Sequence, residues 1–282
     1  MSESLRLQPD RMAHGGRAVA RHDGQAVFVE GAIPGDVVNA RVVKTARRHL
    51  EAVADSVIEP SPDRVEPPCP YFGTCGGCQW QYARYPAQLR WKTEITAGQL
   101  RHLARLEPEV GPTRAVGPPY GYRNRVDLSV ERGRFAFYQA GSHHLIPVDS
   151  CAVLAPPLQT MMAALTEQNG ELVGAQRVTL RAGIRTGETL GLIDDEEGRL
   201  HEEVAGRRLR ISSRAFFQNN TDGAEALVAE VSRALAPQEG EVLLDGYAGG
   251  GLFAATVGAG LETVAVESDP VAVSDLVFNT DA

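Results

Sequence analysis

Three of the four cysteines in this chain, Cys69, Cys75 and Cys78, share one short stretch, PPCPYFGTCGGCQW, and the fourth, Cys151, lies far downstream. Whatever this chain folds into must accommodate that loop. Thiolates are soft ligands, and four of them suit an iron–sulfur cluster or zinc. Structural zinc usually takes two C-x2-C knuckles. Here there is one such pair, an outlier six residues before it, and a remote partner. The three-plus-one arrangement favours [4Fe–4S] on Cys69, Cys75, Cys78 and Cys151; zinc and inert cysteines are the alternatives. A cluster held this way would pin the loop to the region of Cys151 and act at least structurally. The opening MSESLRLQPDRMAHGGR has no apolar core, so it is not a signal peptide. No apolar run is long enough to cross a bilayer. A cytoplasmic location is expected, with no membrane partner, and reduced thiols there disfavour a disulfide framework.

Residues 1–58 read as short strands broken by glycines. Asp23-Gly24 marks a turn between two alternating runs, and Ile33-Pro34-Gly35-Asp36 marks a second. That pattern predicts a small barrel. The proline-rich SPDRVEPPCP reads as a linker, with a boundary at 58/59. Residues 86–106 predict a helix, with Pro86 in its first turn. Alternation in YRNRVDLSV predicts a strand presenting Arg123, Arg125, Asp127 and Ser129 on one face. Phe135 and Phe137 read as its return. Residues 178–185 and 188–193 predict a hairpin about Thr186-Gly187.

The end of the chain changes character. Thr221 to Leu235 predicts a helix capped by Asn220 or Thr221. Val242–Asp245 is a short apolar run followed by Gly249-Gly250-Gly251 and a second helix. Thr263–Glu267 is another apolar run, ending in an acid, and Asp269-Pro270 opens a third helix. This order predicts a parallel β-α-β unit. Glycines let a backbone approach a ligand, and an acid at the tip of the second strand can accept both hydroxyls of a ribose. The spacing is not G-x-G-x-x-G, which weakens a dinucleotide reading. Asp245 before the glycines suits S-adenosylmethionine.

The net charge of −8 argues against a wholly basic nucleic-acid binder. Local basic groups nonetheless gather at Arg41, Lys44, Arg47 and Arg48, and again at Arg114, Arg123, Arg125, Arg132 and Arg134. Each is either solvated surface or a phosphate footprint. The run SRAFFQNN offers two aromatics and three amides. They serve as core and helix cap, or one ring stacks on a base while Gln218 reads a polar group.

These pieces, in this order, resemble the S-adenosylmethionine-dependent RNA (uracil-5-)-methyltransferases of the iron–sulfur branch. AHGGRAVARHDGQAVFVEGAIPGD resembles an RNA-binding TRAM barrel. CPYFGTCGGCQWQ with Cys151 resembles the cluster ligands, and YRNRVDLSV a central-domain strand. FFQNN is similar to an FFQ-V-N motif, with Asn219 in place of valine, and LLDGYAGGGLFA to a methyltransferase motif, with Ala248 where cysteine is common. The resemblance covers essentially the whole chain. It implies a multidomain α/β protein with a β-rich N-terminus: an OB-like TRAM barrel (1–58), an iron–sulfur central β domain (59–205), and the start of a Rossmann-like class I methyltransferase domain (206–282). The helix over 86–106 would pack on that last domain. Gln218, Asp245, Gly249, Gly251 and Glu267 would line the S-adenosylmethionine site. Phe216 would contact RNA bases, with Arg41, Lys44, Arg47, Arg123 and Arg125 on phosphate. The substrate would be a uridine of 23S rRNA ahead of tRNA.

Uracil C5 is a poor nucleophile. The family adds a cysteine thiolate to C6, methylates the activated C5, and removes its proton with a base. The nucleophile, the base and a D-P-P-R loop that the resemblance leads one to look for are not found, so no catalytic residue is assigned. A two-stranded parallel unit would also leave a sheet face uncovered. The expectation is a truncated member, or half of a split enzyme with its C-terminal half supplied in trans, inactive by itself. A non-catalytic RNA-binding iron–sulfur module is the alternative. A radical methylthiotransferase is disfavoured by the x5 spacing and by the fourth ligand.

Overall fold

The computed structural model describes residues 4–167 and 172–281. They divide into two compact units, residues 1–115 and 116–282.

The first unit holds β1 (Ser4–Leu7), β2 (Arg11–Met12), β3 (Ala18–His22), β4 (Gln25–Glu30), β5 (Val37–Thr45) and β6 (His49–Glu59), then the cysteine loop and α1 (Tyr85–Gln99). The strands form one sheet in the order β1-β5-β6-β4-β3-β2. All pairings are antiparallel except β4 with β6. Asp23 and Gly24 both take positive φ, the backbone of a two-residue hairpin whose twist matches its strands. The Ile33–Asp36 turn is closed by its own acid. The fully buried Asp36 accepts the Ile33 N–H at 2.8 Å and the Ser61 N–H at 2.9 Å, and pairs with Arg64 Nη2 at 2.6 Å.

The expected boundary at 58/59 lies inside this unit. Ala83, Ala87 and Trp91 share one core with strand residues such as Val27, Val38 and Ala52. Trp80 Nε1 donates to the Gly16 carbonyl at 3.1 Å, and a Cβ on Gly16 would press on Gln79 and Trp80. The glycine pair of AHGGR therefore receives the cysteine loop. The predicted 86–106 helix is α-helical only to Gln99; a π-helical turn follows over Leu100–Ala104, closed by Arg105 at positive φ.

The second unit holds β7 (Arg125–Glu131), β8 (Arg134–Tyr138), β9 (Leu145–Pro147), α2 (Pro156–Glu167), β10 (Arg177–Ala182) and β11 (Thr189–Ile193). These strands form a sheet ordered β11-β10-β7-β8-β9. Next come the hairpin of β12 (Arg199–Val204) and β13 (Arg207–Ser212), then α3 (Thr221–Leu235), β14 (Val242–Gly246), α4 (Leu252–Thr256), β15 (Glu262–Val266) and α5 (Pro270–Thr280). Of the two expected caps, Asn220 is the one that caps α3, accepting the Gly223 N–H at 3.0 Å, and Thr221 is the first helical residue. β14 and β15 pair in parallel, giving the expected β-α-β unit.

The expected boundary at 205/206 falls in the turn between β12 and β13, which pair along their whole length. Leu200, Val204, Leu209 and Ile211 of that hairpin share a core with Ala224, Val228, Leu252 and Val257. The hairpin thus packs with the last helices. On β14 and β15, Val242, Leu244, Val264 and Val266 are exposed, Leu244 by 68%. One face of the parallel pair is apolar and uncovered, as sheet geometry required.

Candidate functional site

The β14 and β15 tips converge on a backbone loop of donors and acids. Glu267 follows β15, and its Oε2 accepts the Gly249 N–H at 2.9 Å. Its Oε1 accepts the Ser268 N–H at 2.6 Å and the Asp269 N–H at 2.9 Å. The N–H groups of Asp269, Ser268 and Gly249 hold this carboxyl below the usual range. Oε1 is filled by its two N–H donors, while Oε2 retains lone-pair capacity for a further donor such as a hydroxyl. Asp245, near the end of β14, accepts the Ala254 N–H at 3.1 Å through Oδ2. Burial pushes its pKa up, against that bond. Its other oxygen accepts no hydrogen bond among the described residues.

Gly251 carries φ +85°, and a Cβ there would lie 2.8 Å from Leu276 Cδ1 and 3.3 Å from Leu276 Cα. Only glycine fits, so the turn lies close on α5. Gly249 also has positive φ (+54°), yet a Cβ there meets nothing within 4 Å, so its open side faces free space. The turn is braced from behind by Asn279, whose amide donates to the Gly250 carbonyl at 2.7 Å and to the Arg210 carbonyl at 3.0 Å.

The FFQNN segment joins the central sheet to this half. Asn124 Nδ2 donates to the Gln218 carbonyl and to Thr221 Oγ1, both at 3.1 Å, and the Asn124 N–H donates to the Asn219 carbonyl at 3.0 Å. Phe217 is core, while Phe216 is 71% exposed. The two readings of the aromatics therefore divide between the rings: one packs, one is free to stack. Arg125 donates to the carbonyl of Ala215, the residue before Phe216, at 3.4 Å and pairs with Asp127 at 3.2 Å. Arg123 bridges Leu154 and Asn220 through its backbone, and its Nε is buried without a partner. No hydrogen bond among the described residues ties the Gln218 side chain to Asp245, Gly249 or Glu267.

Two groups escaped the sequence. Arg181, on β10, is only 1% exposed. It donates to the Ser212 and Ala215 carbonyls at 3.3 and 3.4 Å and stands 5.9 Å from the Phe217 ring. Burial, then the neighbouring Arg125 charge, pulls its pKa down to about 10. Glu202 is also 1% exposed; it accepts the Thr221 hydroxyl and the N–H groups of Ile184 and Arg185. Alternation alone would have put Arg181 in solvent, opposite Val178 and Leu180; Glu202 shares the buried face of β12 with Leu200 and Val204, where residue type argues against an acid.

In the first unit, Arg41 is exposed and pairs with Asp55 at 3.4 Å. Lys44 pairs with Glu51 at 2.7 Å, and Lys44, then Arg17, holds the Glu51 carboxyl down at about 2. Arg47 is exposed with no ion pair among the described residues. Part of the predicted basic footprint is therefore neutralised by neighbouring acids. Cys69, Cys75 and Cys78 are half-buried in one loop, and the Gly77 N–H donates to Cys75 Sγ at 3.4 Å. Burial, reinforced by Cys78 and Cys69, raises the Cys75 thiol. Among the described residues no three His, Cys, Asp or Glu side chains converge into a group able to hold a metal ion. Cys151 belongs to the second unit. No helix among the described residues is long and apolar enough to cross a membrane.

Comparison with known proteins matches residues 9–54 to the TRAM domain family. An uncharacterized RNA methyltransferase of Thermosynechococcus vestitus is 32% identical over 98% of this chain and 75% of its own length. The 23S rRNA (uracil(1939)-C(5))-methyltransferase RlmD of Shewanella amazonensis is 30% identical over 99% of this chain and 73% of its own length. The fold resembles that of the Pyrococcus abyssi tRNA (uracil-54, C5)-methyltransferase crystallised with S-adenosyl-L-homocysteine, with a TM-score of 0.72 at 21% identity. That match covers 98% of this chain and 76% of the other.

Proposed function

Because the chain belongs to the RNA (uracil-5-)-methyltransferase family, we propose that it works in methyl transfer from S-adenosylmethionine to C5 of a uridine, in 23S rRNA ahead of tRNA. The observation that carries this reading is the Glu267–Gly249 bridge across the two strand tips, with Asp245 alongside. In this reading Glu267 accepts the ribose hydroxyls. The turn at Gly249–Gly251 passes close to the cofactor, Asp245 receives the ammonium of the methionine moiety, and Gln218 binds from the FFQNN loop. Phe216 stacks on a base of the substrate, and Arg123 and Arg125 neutralise phosphate beside it. Arg41, Lys44 and Arg47 on the TRAM domain would contact phosphate separately. In this reading the work is done in the cytoplasm.

Cys69, Cys75 and Cys78, with Cys151, are assigned to a [4Fe–4S] cluster. Four soft thiols and an N–H directed at one sulfur fit such a group by donor chemistry. The thiolate that must add to uracil C6 is then not one of these four.

Deletion of the gene, followed by mapping of 5-methyluridine in total RNA, tests the reading. Loss of one 5-methyluridine from 23S rRNA supports it. Loss from tRNA instead moves the substrate, and an unchanged modification pattern overturns the activity.

A further inference from the structure

We propose that a cleft between the β12–β13 hairpin and the start of α5 is a phosphodiester pocket for the RNA strand, outside the cofactor site. The inference rests on RNA being the substrate. The cleft encloses about 400 Å³, and its walls carry Arg199, Arg210, Arg214, Ser213 and Ser274, with Glu197 the only acid. That is a cationic wall on a chain whose net charge is −8.

The polar groups on the wall are set to donate. Ser213 Oγ already accepts the Gly198 N–H at 3.2 Å, and Ser274 Oγ accepts from Arg210 Nη2 at 2.9 Å. Each hydroxyl therefore keeps its own proton for an outside acceptor. Arg210 is 12% exposed and locked, with Nε on the buried Asp275 at 2.8 Å and Nη2 on the Ser274 carbonyl. Arg199 is exposed and makes no hydrogen bond or ion pair among the described residues. Arg214 pairs with Glu197 at 2.8 Å, but both side chains are more than half exposed, and such a pair yields to a stronger anion at little cost. Guanidinium forks match phosphate oxygens in pairs, which a carboxylate-lined pocket could not do.

The site is also preformed. Arg181 grips the Ser212 and Ala215 carbonyls from beneath, and the Ser212 N–H donates to Asp275 at 2.7 Å. Arg214 stands two residues before the exposed Phe216. A strand whose base stacks on Phe216 would thus lay a neighbouring phosphate at Arg214 and Arg199. This continuity favours a polynucleotide over a free anion.

Arg199→Ala and Arg214→Ala in the full chain test the proposal. Binding of a fluorescein-labelled single-stranded uridine-containing RNA is followed by anisotropy across a KCl series. Each variant should show a slope of log affinity against log salt shallower by about 0.7, the contribution of one lost phosphate contact on a single strand. S-adenosylhomocysteine affinity, measured by calorimetry, should not change. If the wild type binds RNA and both variants keep its slope, the pocket assignment fails while the RNA reading stands. If the wild type shows no salt-dependent RNA binding, both fall. If inorganic phosphate binds the wild type but not Arg199→Ala, and the RNA slopes stay equal, the pocket takes a small anion and the proposal is overturned.

Discussion

The Glu267 carboxylate accepts the Gly249 N–H at 2.9 Å, tying the residue after one parallel strand to the turn that follows the other. This bond fixes the turn before any ligand arrives. Removing the carboxylate therefore removes both a ligand acceptor and the brace. Glu267→Ala should weaken S-adenosylhomocysteine binding roughly 10–100-fold by calorimetry, the range for a lost charge-assisted bond. The Asp269, Ser268 and Gly249 N–H groups lower its pKa, so the folded chain favours the ionised form. That contribution is fully present above the unfolded carboxyl pKa and is lost as pH falls through the lower folded value. Affinity should accordingly be flat from neutral pH to about pH 5 and fall only in more acid solution. A loss centred near neutrality would contradict the role.

Gly251 and Gly249 share a turn and positive φ but differ in what surrounds them. Gly251→Ala puts a methyl against Leu276 and strains the backbone, which should cost about 2–4 kcal/mol in urea unfolding. Gly249→Ala meets open space and should cost about 1–2 kcal/mol, from backbone strain alone. Its larger effect should be on S-adenosylhomocysteine affinity, because the added methyl occupies the side proposed for the cofactor. Equal stability losses, or an unchanged affinity in Gly249→Ala, would refute this division.

What the sequence made legible was local. The Asn220 cap, the Asp23-Gly24 turn and the order of β14, α4 and β15 each follow from residue type and period. The features that the sequence does not show depend on contacts distant in sequence. The boundary at 205/206 that the resemblance implies falls at Ala205-Gly206, the turn of the β12–β13 hairpin, and a turn does not show which core its strands join. Only the core that Leu200 and Ile211 share with Leu252 shows where the hairpin packs. Alternation sets Arg181 opposite Val178 and Leu180 without saying what covers that face, and it sets Glu202 beside Leu200 and Val204, where its residue type argues against burial. Here the loop after β13 covers Arg181, and Thr221 reaches Glu202. The α1 end was overrun because Leu100, Leu103 and Leu106 continue an apolar stripe, yet Leu103 and Leu106 are exposed.

Glu202 links three segments. Its carboxylate accepts from Thr221 Oγ1 at 2.6 Å, the Ile184 N–H at 2.7 Å and the Arg185 N–H at 3.0 Å. A Cβ on Gly183 would strike the His201 carbonyl, so that turn sits tightly beside it. Glu202→Gln replaces one acceptor oxygen by an NH2 facing donors. It should destabilise the second unit by about 2–4 kcal/mol in urea denaturation. Thr221→Val removes the donor to Glu202 and one acceptor of the Asn124 amide, which keeps the Gln218 carbonyl, and should cost about 1–3 kcal/mol. If Glu202→Gln unfolds at the wild-type urea midpoint, the carboxylate is not the clamp its geometry describes.

The cysteine loop yields the last prediction. Burial keeps the Cys75 thiol protonated to higher pH than an ordinary cysteine, so metal must displace its proton. Chain purified without oxygen and supplied with iron and sulfide should develop thiolate-to-iron charge-transfer absorption, with the iron and sulfide content of one [4Fe–4S] per chain. Cys69→Ser, Cys75→Ser and Cys78→Ser should each abolish it. Cys151→Ser is the informative variant. If Cys151 is the fourth ligand, its loss should leave a cluster that forms in low yield and bleaches rapidly in air. A Cys151→Ser protein with full, air-stable cluster content would remove Cys151 from the ligand set. A wild-type chain that takes up zinc and no iron would replace the cluster assignment with a zinc site.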